Sequence, residues 1–242
     1  MTEPTPRPEP QEGASMEIAL SYVRTGEGFP LVLLHGNGED HTYFKHQMGP
    51  FSERYDVIAV DTRGHGASPR GSAPFTLEQY AEDLKVLLDR LELRRCHLLG
   101  FSDGGNTALL FALKYPEYVE KLILNGANLS PAGVKLSIQL PIALGWGLLQ
   151  VIRRADRRAQ PKWELLDLMT TQPRIRPEEL GRLAMPVLVA AGKRDMIRES
   201  HTRLIARSIP GARLALLPGD HFTARRNWPD FNRAVLEFLE EA

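Results

Sequence analysis

The stretch CHLLGFSDGGNTALLFA, residues 96–112, decides how this chain folds. Its first part, Cys96 to Leu99, is a short apolar run that reads as a buried strand. Its last part places Ala108, Leu109, Leu110 and Ala112 in a helical run. Between them Gly100, Phe101, Ser102, Asp103 and Gly104 fit G-x-S-x-G. A serine at so tight a strand-to-helix turn is held in a strained backbone conformation with its hydroxyl exposed. The flanking glycines are needed because side chains there would clash with the strand and the helix. The first N–H groups of the helix point at the site, so its dipole and the Asp103 N–H are placed to stabilise an oxyanion. Ser102 is therefore the candidate nucleophile.

Outward from this turn the same pattern repeats. Leu31 to Leu34 runs into His35, Gly36, Asn37 and Gly38. Val57 to Val60 ends at Asp61, Leu122 to Leu124 at Asn125 and Gly126, Val187 to Ala191 at Gly192, and Leu214 to Leu217 at Pro218 and Gly219. Amphipathic helices separate these runs; the clearest carries Leu77, Tyr80, Ala81, Leu84, Leu87, Leu88 and Leu91 three and four residues apart. Short apolar runs alternating with such helices give a mostly parallel, doubly wound α/β sheet with helices on both faces, and its ligand site lies at the carboxyl ends of the strands. The alternation fails only over residues 129–183, an apolar and Arg-rich interval punctuated by prolines, which we expect to be a small helical lid. Residues 15–128 and 184–242 then form the core, and residues 1–14, with Pro4, Pro6, Pro8 and Pro10, a disordered tail.

A serine needs a base, and the base an orienting acid. Of seven histidines, His221 lies in the loop after the last strand and is the candidate base. His97 sits within a strand, His35 and His65 lie in glycine loops as scaffolding, and His41, His46 and His201 have no acid placed by the sequence to hold them. Asp195, after the run Val187 to Ala191, is the candidate acid. Asp220 is the rival, although side chains adjacent in sequence rarely face each other.

Composition narrows the alternatives. With 30 Lys+Arg against 30 Asp+Glu the net charge is zero, which argues against a nucleic-acid partner. One cysteine, Cys96, excludes an internal disulfide, reads as a buried core residue, and fits a reduced, cytoplasmic location. Neither a phosphate-binding G-x-x-x-x-G-K-[ST] loop nor a G-x-G-x-x-G after the first strand is present, and no metal or cofactor is expected. The apolar run Leu136 to Ile152 is interrupted by Gln139, Pro141, Gly145, Gly147 and Gln150 and reads as lid helix. The following Arg153, Arg154, Arg157 and Arg158 read as a solvated face, so no stable membrane association is expected.

Four segments together resemble the α/β-hydrolase superfamily over roughly Leu20 to Leu239: Leu33 to Gly36, Asp61 to Ser68, Gly100 to Gly105, and Gly219 to Phe222. The order Ser102, Asp195, His221 is the order of that fold. The run Leu98 to Gly105, with Ala112, Lys114, Tyr115, Pro116 and Gly126 to Asn128, is similar to the biphenyl-hydrolase-like serine esterases of the valacyclovir hydrolase type. That resemblance implies the α/β-hydrolase fold, the triad above, a second oxyanion N–H from Asn37 beside that of Asp103, and an Asp103 carboxylate able to recognise a substrate amine. Asp103, Gly36, Phe101 and Phe222 are then expected to bind substrate. Before Leu31 only one strand, Ile18 to Arg24, is evident where the fold usually has an antiparallel pair, and the modest lid suggests a small or open acyl pocket.

The expected function is hydrolysis of a small carboxylic ester, such as an α-amino acid ester, through an acyl-enzyme on Ser102. Carbon–carbon bond hydrolysis, lactonase or cofactor-free peroxidase chemistry on the same triad is the alternative, and a non-catalytic ligand-binding homologue a third. Ser102 argues against dehalogenase and epoxide hydrolase chemistry, which need a carboxylate nucleophile. Glu39, Asp40, Asp103 and Asp220 are expected to gather at the pocket edge and favour cations.

Overall fold

The computed structural model describes residues 17–241; the expected Pro-rich tail lies outside them. Strands β1 (Tyr22–Thr25), β2 (Phe29–Leu34), β3 (Tyr55–Val60), β4 (Cys96–Phe101), β5 (Val119–Asn125), β6 (Val187–Gly192) and β7 (Arg213–Leu217) form one sheet in the order β1-β3-β2-β4-β5-β6-β7. All neighbours are parallel except β1, which runs antiparallel to β3 with Tyr22 opposite Val60. The strand expected over Ile18 to Arg24 starts later, because Leu20 and Ile18 turn into the core instead of pairing.

The helices are α1 (Lys45–Ser52), α2 (Leu77–Arg90), α3 (Asp103–Lys114), α4 (Leu136–Ala155), α5 (Gln160–Thr171), α6 (Glu199–Ser208), α7 (Thr223–Arg226) and α8 (Trp228–Glu240). Every residue of β3, β4 and β6 is buried, as apolar runs covered on both sides must be. The period of two assigns them to two cores. Val32, Leu34, Ile58, Leu98 and Leu122 face α2, α3 and α6, while Leu31, Leu33, Val57, Leu99 and Ile123 face α1, α7 and α8. The α2 helix starts where the sequence supplies a cap: Thr76 is extended, and its Oγ1 accepts the Gln79 N–H at 3.1 Å.

Residues 129–183 connect β5 to β6 through α4, α5 and short 3₁₀ turns. The α5 helix is fastened to the core. Arg70 donates to both oxygens of Glu164 (2.9 and 2.7 Å), Asn37 Nδ2 donates to the Leu165 carbonyl (2.8 Å), and Leu168 packs with Leu77 and Tyr80. The segment leading to α4 is tied down as well: Lys135 N–H donates to Met196 O and Arg198 N–H to Gly133 O, both at 2.9 Å.

Arg63, in the loop after β3, is 1 % exposed. Its guanidinium donates in parallel to both oxygens of Asp83 at 2.7 Å and also to Glu17 and the Arg70 carbonyl. A charge so buried is tolerated only while its partners satisfy it. Asp83→Ala should lower unfolding free energy by about 3–5 kcal/mol, read as a shifted urea midpoint at unchanged slope.

Candidate active site

The loop between β4 and α3 holds Ser102 at φ 53, ψ −120. Ser102 and Glu92 are the two non-glycine residues with positive φ among those described. Such backbone strain costs about 1–3 kcal/mol and persists only where packing fixes it. Here the start of α3 presses against the end of β2, so that a Cβ on Gly104 would lie 2.2 Å from the Leu34 carbonyl oxygen. The turn is also pinned across the sheet, where the Ser102 N–H donates to Asn125 O at 2.8 Å.

Three strand ends then meet. His221 Nε2 lies 3.0 Å from Ser102 Oγ, and His221 Nδ1 lies 2.7 Å from Asp195 Oδ1. Asp195 Oδ1 also accepts the Ile197 N–H at 2.8 Å, which fixes the carboxylate. The histidine and the aspartate are both buried. Gly126, at φ 64, leaves room for the ring: a Cβ there would sit 2.8 Å from His221 Cε1. The rival acid, Asp220, points elsewhere, accepting from the Phe222 N–H and pairing with Arg226.

The loop Gly36 to Gly38 is wired by two histidines. Thr62 N–H donates to His35 Nε2 at 3.0 Å, so His35 Nδ1 carries the proton and donates to Gly36 O at 2.7 Å. In the same way Gly38 N–H donates to His65 Nε2 at 3.0 Å, and His65 Nδ1 donates to Arg63 O at 3.0 Å. Burial pushes His35 down to about 4 and lowers His65, which keeps both rings neutral and able to accept. Asp61 joins the two loops. Its Oδ1 accepts from the His41 N–H and lies 2.8 Å from the His41 ring, and its Oδ2 accepts the Ala67 N–H. His41 therefore does have an acid, which sequence spacing could not reveal because the two residues belong to different loops.

The other residues expected at the site fall as follows. Asp103 and Asn37 line one tight buried gap with Gly36, Gly104 and Tyr80. As the first residue of α3, Asp103 has an N–H outside the helix ladder. Its side chain is buried; Oδ1 accepts from Asn106 at 3.0 Å, Oδ2 has no partner among the described residues, and burial pushes the carboxyl up to about 6. Phe101, expected to touch substrate, requires correction. At 1 % exposure it is packing: its ring stacks on Tyr43 at 4.2 Å between centroids and lies 4.9 Å from that of His221. A Cβ on Gly36 would meet the Phe101 ring at 3.0 Å, so this glycine admits that ring. Phe222 stays half-buried, 5.5 Å from His221.

The acidic pocket edge is also reduced. Asp40 accepts from Thr42, and Asp220 is paired with Arg226. Glu39 remains, its Oε2 unpartnered, and burial pushes it up to about 7. It stands between a cavity of about 410 Å³ toward α5, lined by His65, Arg70, Phe75 and Leu165, and one of about 210 Å³ toward Tyr43 and Arg225. Among the described residues no group of three or more His, Cys, Asp or Glu side chains converges to hold a metal.

The sequence model of the alpha/beta hydrolase fold family matches residues 30–166. The chain belongs to the α/β-hydrolase family. As a member it is a hydrolase, and its relatives act on varied bonds. It is 30% identical to human serine hydrolase BPHL, over 92% of this chain and 84% of that one, and 25% identical to 3-oxoadipate enol-lactonase 2 of Acinetobacter baylyi, over 91% and 93%. A solved structure of the meta-cleavage product hydrolase of Pseudomonas fluorescens superposes with a TM-score of 0.75 at 25% identity, covering 94% of this chain and 97% of that one.

The neutral histidines of this hydrolase predict an acid sensitivity. An unfolded His titrates near 6.5, while the fold holds His35 at about 4. As pH falls the unfolded chain therefore takes up the proton first. The contribution is complete above about pH 6.5 and declines by up to about 3 kcal/mol as pH falls to about 4. Urea denaturation across this range should show that His35→Gln removes one proton from the slope of stability against pH.

Proposed function

We propose that this hydrolase cleaves small carboxylic esters through an acyl-enzyme on Ser102. The observation that carries this reading is the continuous hydrogen-bonded line from Ser102 Oγ through the His221 ring to Asp195 Oδ1. His221 Nε2 takes the hydroxyl proton as Oγ attacks the ester carbonyl, and Asp195 holds the ring with Nδ1–H toward itself and stabilises the imidazolium. The N–H groups of Asp103 and Asn37 receive the oxyanion, each such donor being worth about 3 kcal/mol. His221 then returns the proton to the departing alcohol. A water molecule deprotonated by the same nitrogen cleaves the acyl-enzyme, which restores Ser102.

The acyl group we infer is an α-aminoacyl group. Support comes from Asp103, whose buried Oδ2 has no partner among the described residues and lies on the residue directly after Ser102. A carboxylate left unpaired in such a place is stabilised by an ammonium group. A lactone or a carbon–carbon bond is the second reading, favoured by the similarity to the enol-lactonase and the meta-cleavage product hydrolase. A panel of p-nitrophenyl esters, an enol-lactone and a ring-cleavage dienoate separates the two readings by the substrate with the highest kcat/KM.

A fluorophosphonate should label the protein once, and Ser102→Ala should abolish the labelling. The expected losses in kcat are about 10⁶-fold for Ser102→Ala and about 10⁴-fold for Asp195→Asn. Labelling that survives Ser102→Ala would remove this mechanism. For Asp103, the ratio of kcat/KM for an alanyl ester to that for a propionyl ester cancels the titration of the triad. Because the carboxyl sits at about 6, that ratio should rise as pH increases through about 6, and Asp103→Asn should flatten it. A ratio independent of pH in the parent protein would exclude amine recognition by Asp103.

A further inference from the structure

The α4 helix stands apart from the other helices. None of its 20 residues is buried, and its length and hydropathy would suffice to cross a bilayer. One side belongs to α5. Trp146 Nε1 donates to Asp167 at 2.8 Å, Gly145 faces Leu166, and the Arg153 guanidinium carbon lies 3.6 Å from the centre of the Trp163 ring. The opposite side carries Leu136, Leu140, Leu144, Leu148 and Val151, four and three residues apart and all exposed, Leu144 by 74%. At 100° per residue these five fall within an arc of about 120° that also takes in Gly147 and Ala155, with Ser137 and Arg154 as its polar members. Arg154, in line with Leu136, ends the stripe on its C-terminal side, and the exposed Arg157 and Arg158 follow in the next turn. The helix contains no Asp or Glu, and the neighbouring Asp156 is engaged in accepting the Arg158 N–H.

The charges select the occupant. A second copy joined stripe to stripe would set these arginines against a helix with no carboxylate to receive them. An anionic bilayer offers hydrocarbon to the leucines and phosphates to the guanidinium groups on the same plane. We propose that the outer face of α4 docks flat on an anionic lipid surface. It lies on the bilayer and does not cross it, because its inner side is bound to α5 by polar contacts that hydrocarbon would leave unsatisfied. The arginines that read as a solvated face in the sequence thereby become the rim of a lipid-binding surface.

Flotation of the full chain with vesicles tests this. The protein should float with vesicles of equimolar phosphatidylcholine and phosphatidylglycerol and remain behind with phosphatidylcholine alone. Leu144→Ser with Leu148→Ser, both at exposed positions, should leave Tm unchanged and cut binding at least about tenfold. Arg154→Gln, Arg157→Gln and Arg158→Gln together should cut it about a hundredfold, roughly fivefold for each charge removed. The proposal is overturned by absence of flotation with the anionic vesicles, or by leucine variants that bind as the parent does. It is likewise overturned by a dimer in sedimentation that the leucine variants dissolve and anionic vesicles do not compete with, which would make a second copy the occupant.

Discussion

Everything at this site depends on a strained turn. Ser102 can hold a positive φ only because β4 and α3 converge on it so closely that glycines are obligatory around it. That convergence exposes the hydroxyl at the carboxyl edge of the sheet, next to the first N–H groups of a helix. The strain is held by the burial of β4 on both faces and by the backbone bond from Ser102 to Asn125. A serine on a relaxed turn would not face His221. Free energy stored in one residue is thus converted into the position of the Ser102 hydroxyl.

Around that turn, neutrality is as important as charge. His35 and His65 act as acceptors for backbone N–H groups, and each would lose that bond on protonation. The burial that lowers their affinity for protons therefore also keeps the loops around Gly36 to Gly38 in shape. The same physics acts in the opposite sense on Asp103 and Glu39, where burial raises carboxyl groups into the range in which many enzymes work. The site thus contains groups whose charge follows pH. The overall charge of zero conceals this division, with Asp103 enclosed beside Ser102 and arginines displayed at the end of α4 and just after it.

Much of this was legible in the residues. The strands could be read because a parallel sheet buried on both faces leaves continuous apolar runs, and the elbow because its glycines are a steric necessity written locally. His221 and Asp195 followed from their places after strands, and the structure brings both to Ser102. Phe101 was misjudged for a physical reason. Its neighbours in sequence are the site, but the alternation along β4 turns its ring beneath the histidine and against Tyr43, a contact between residues 58 positions apart. The bonds His41 to Asp61 and Arg63 to Asp83 escaped for a similar reason, since contacts between segments remote in the chain leave no periodicity.

The sequence by itself determined the class of fold, the strained turn at Ser102 and the strand ends that carry Ser102, Asp195 and His221, because each rests on local sterics or on a repeating pattern of burial. Only the tertiary structure decided which carboxylate meets His221, which polar atoms are sealed without partners among the described residues, and which side of α4 remains uncovered. Those outcomes depend on distances between segments remote in the chain. A helix of apolar residues looks the same in sequence whether its faces meet protein, water or lipid, and packing alone leaves one of them bare.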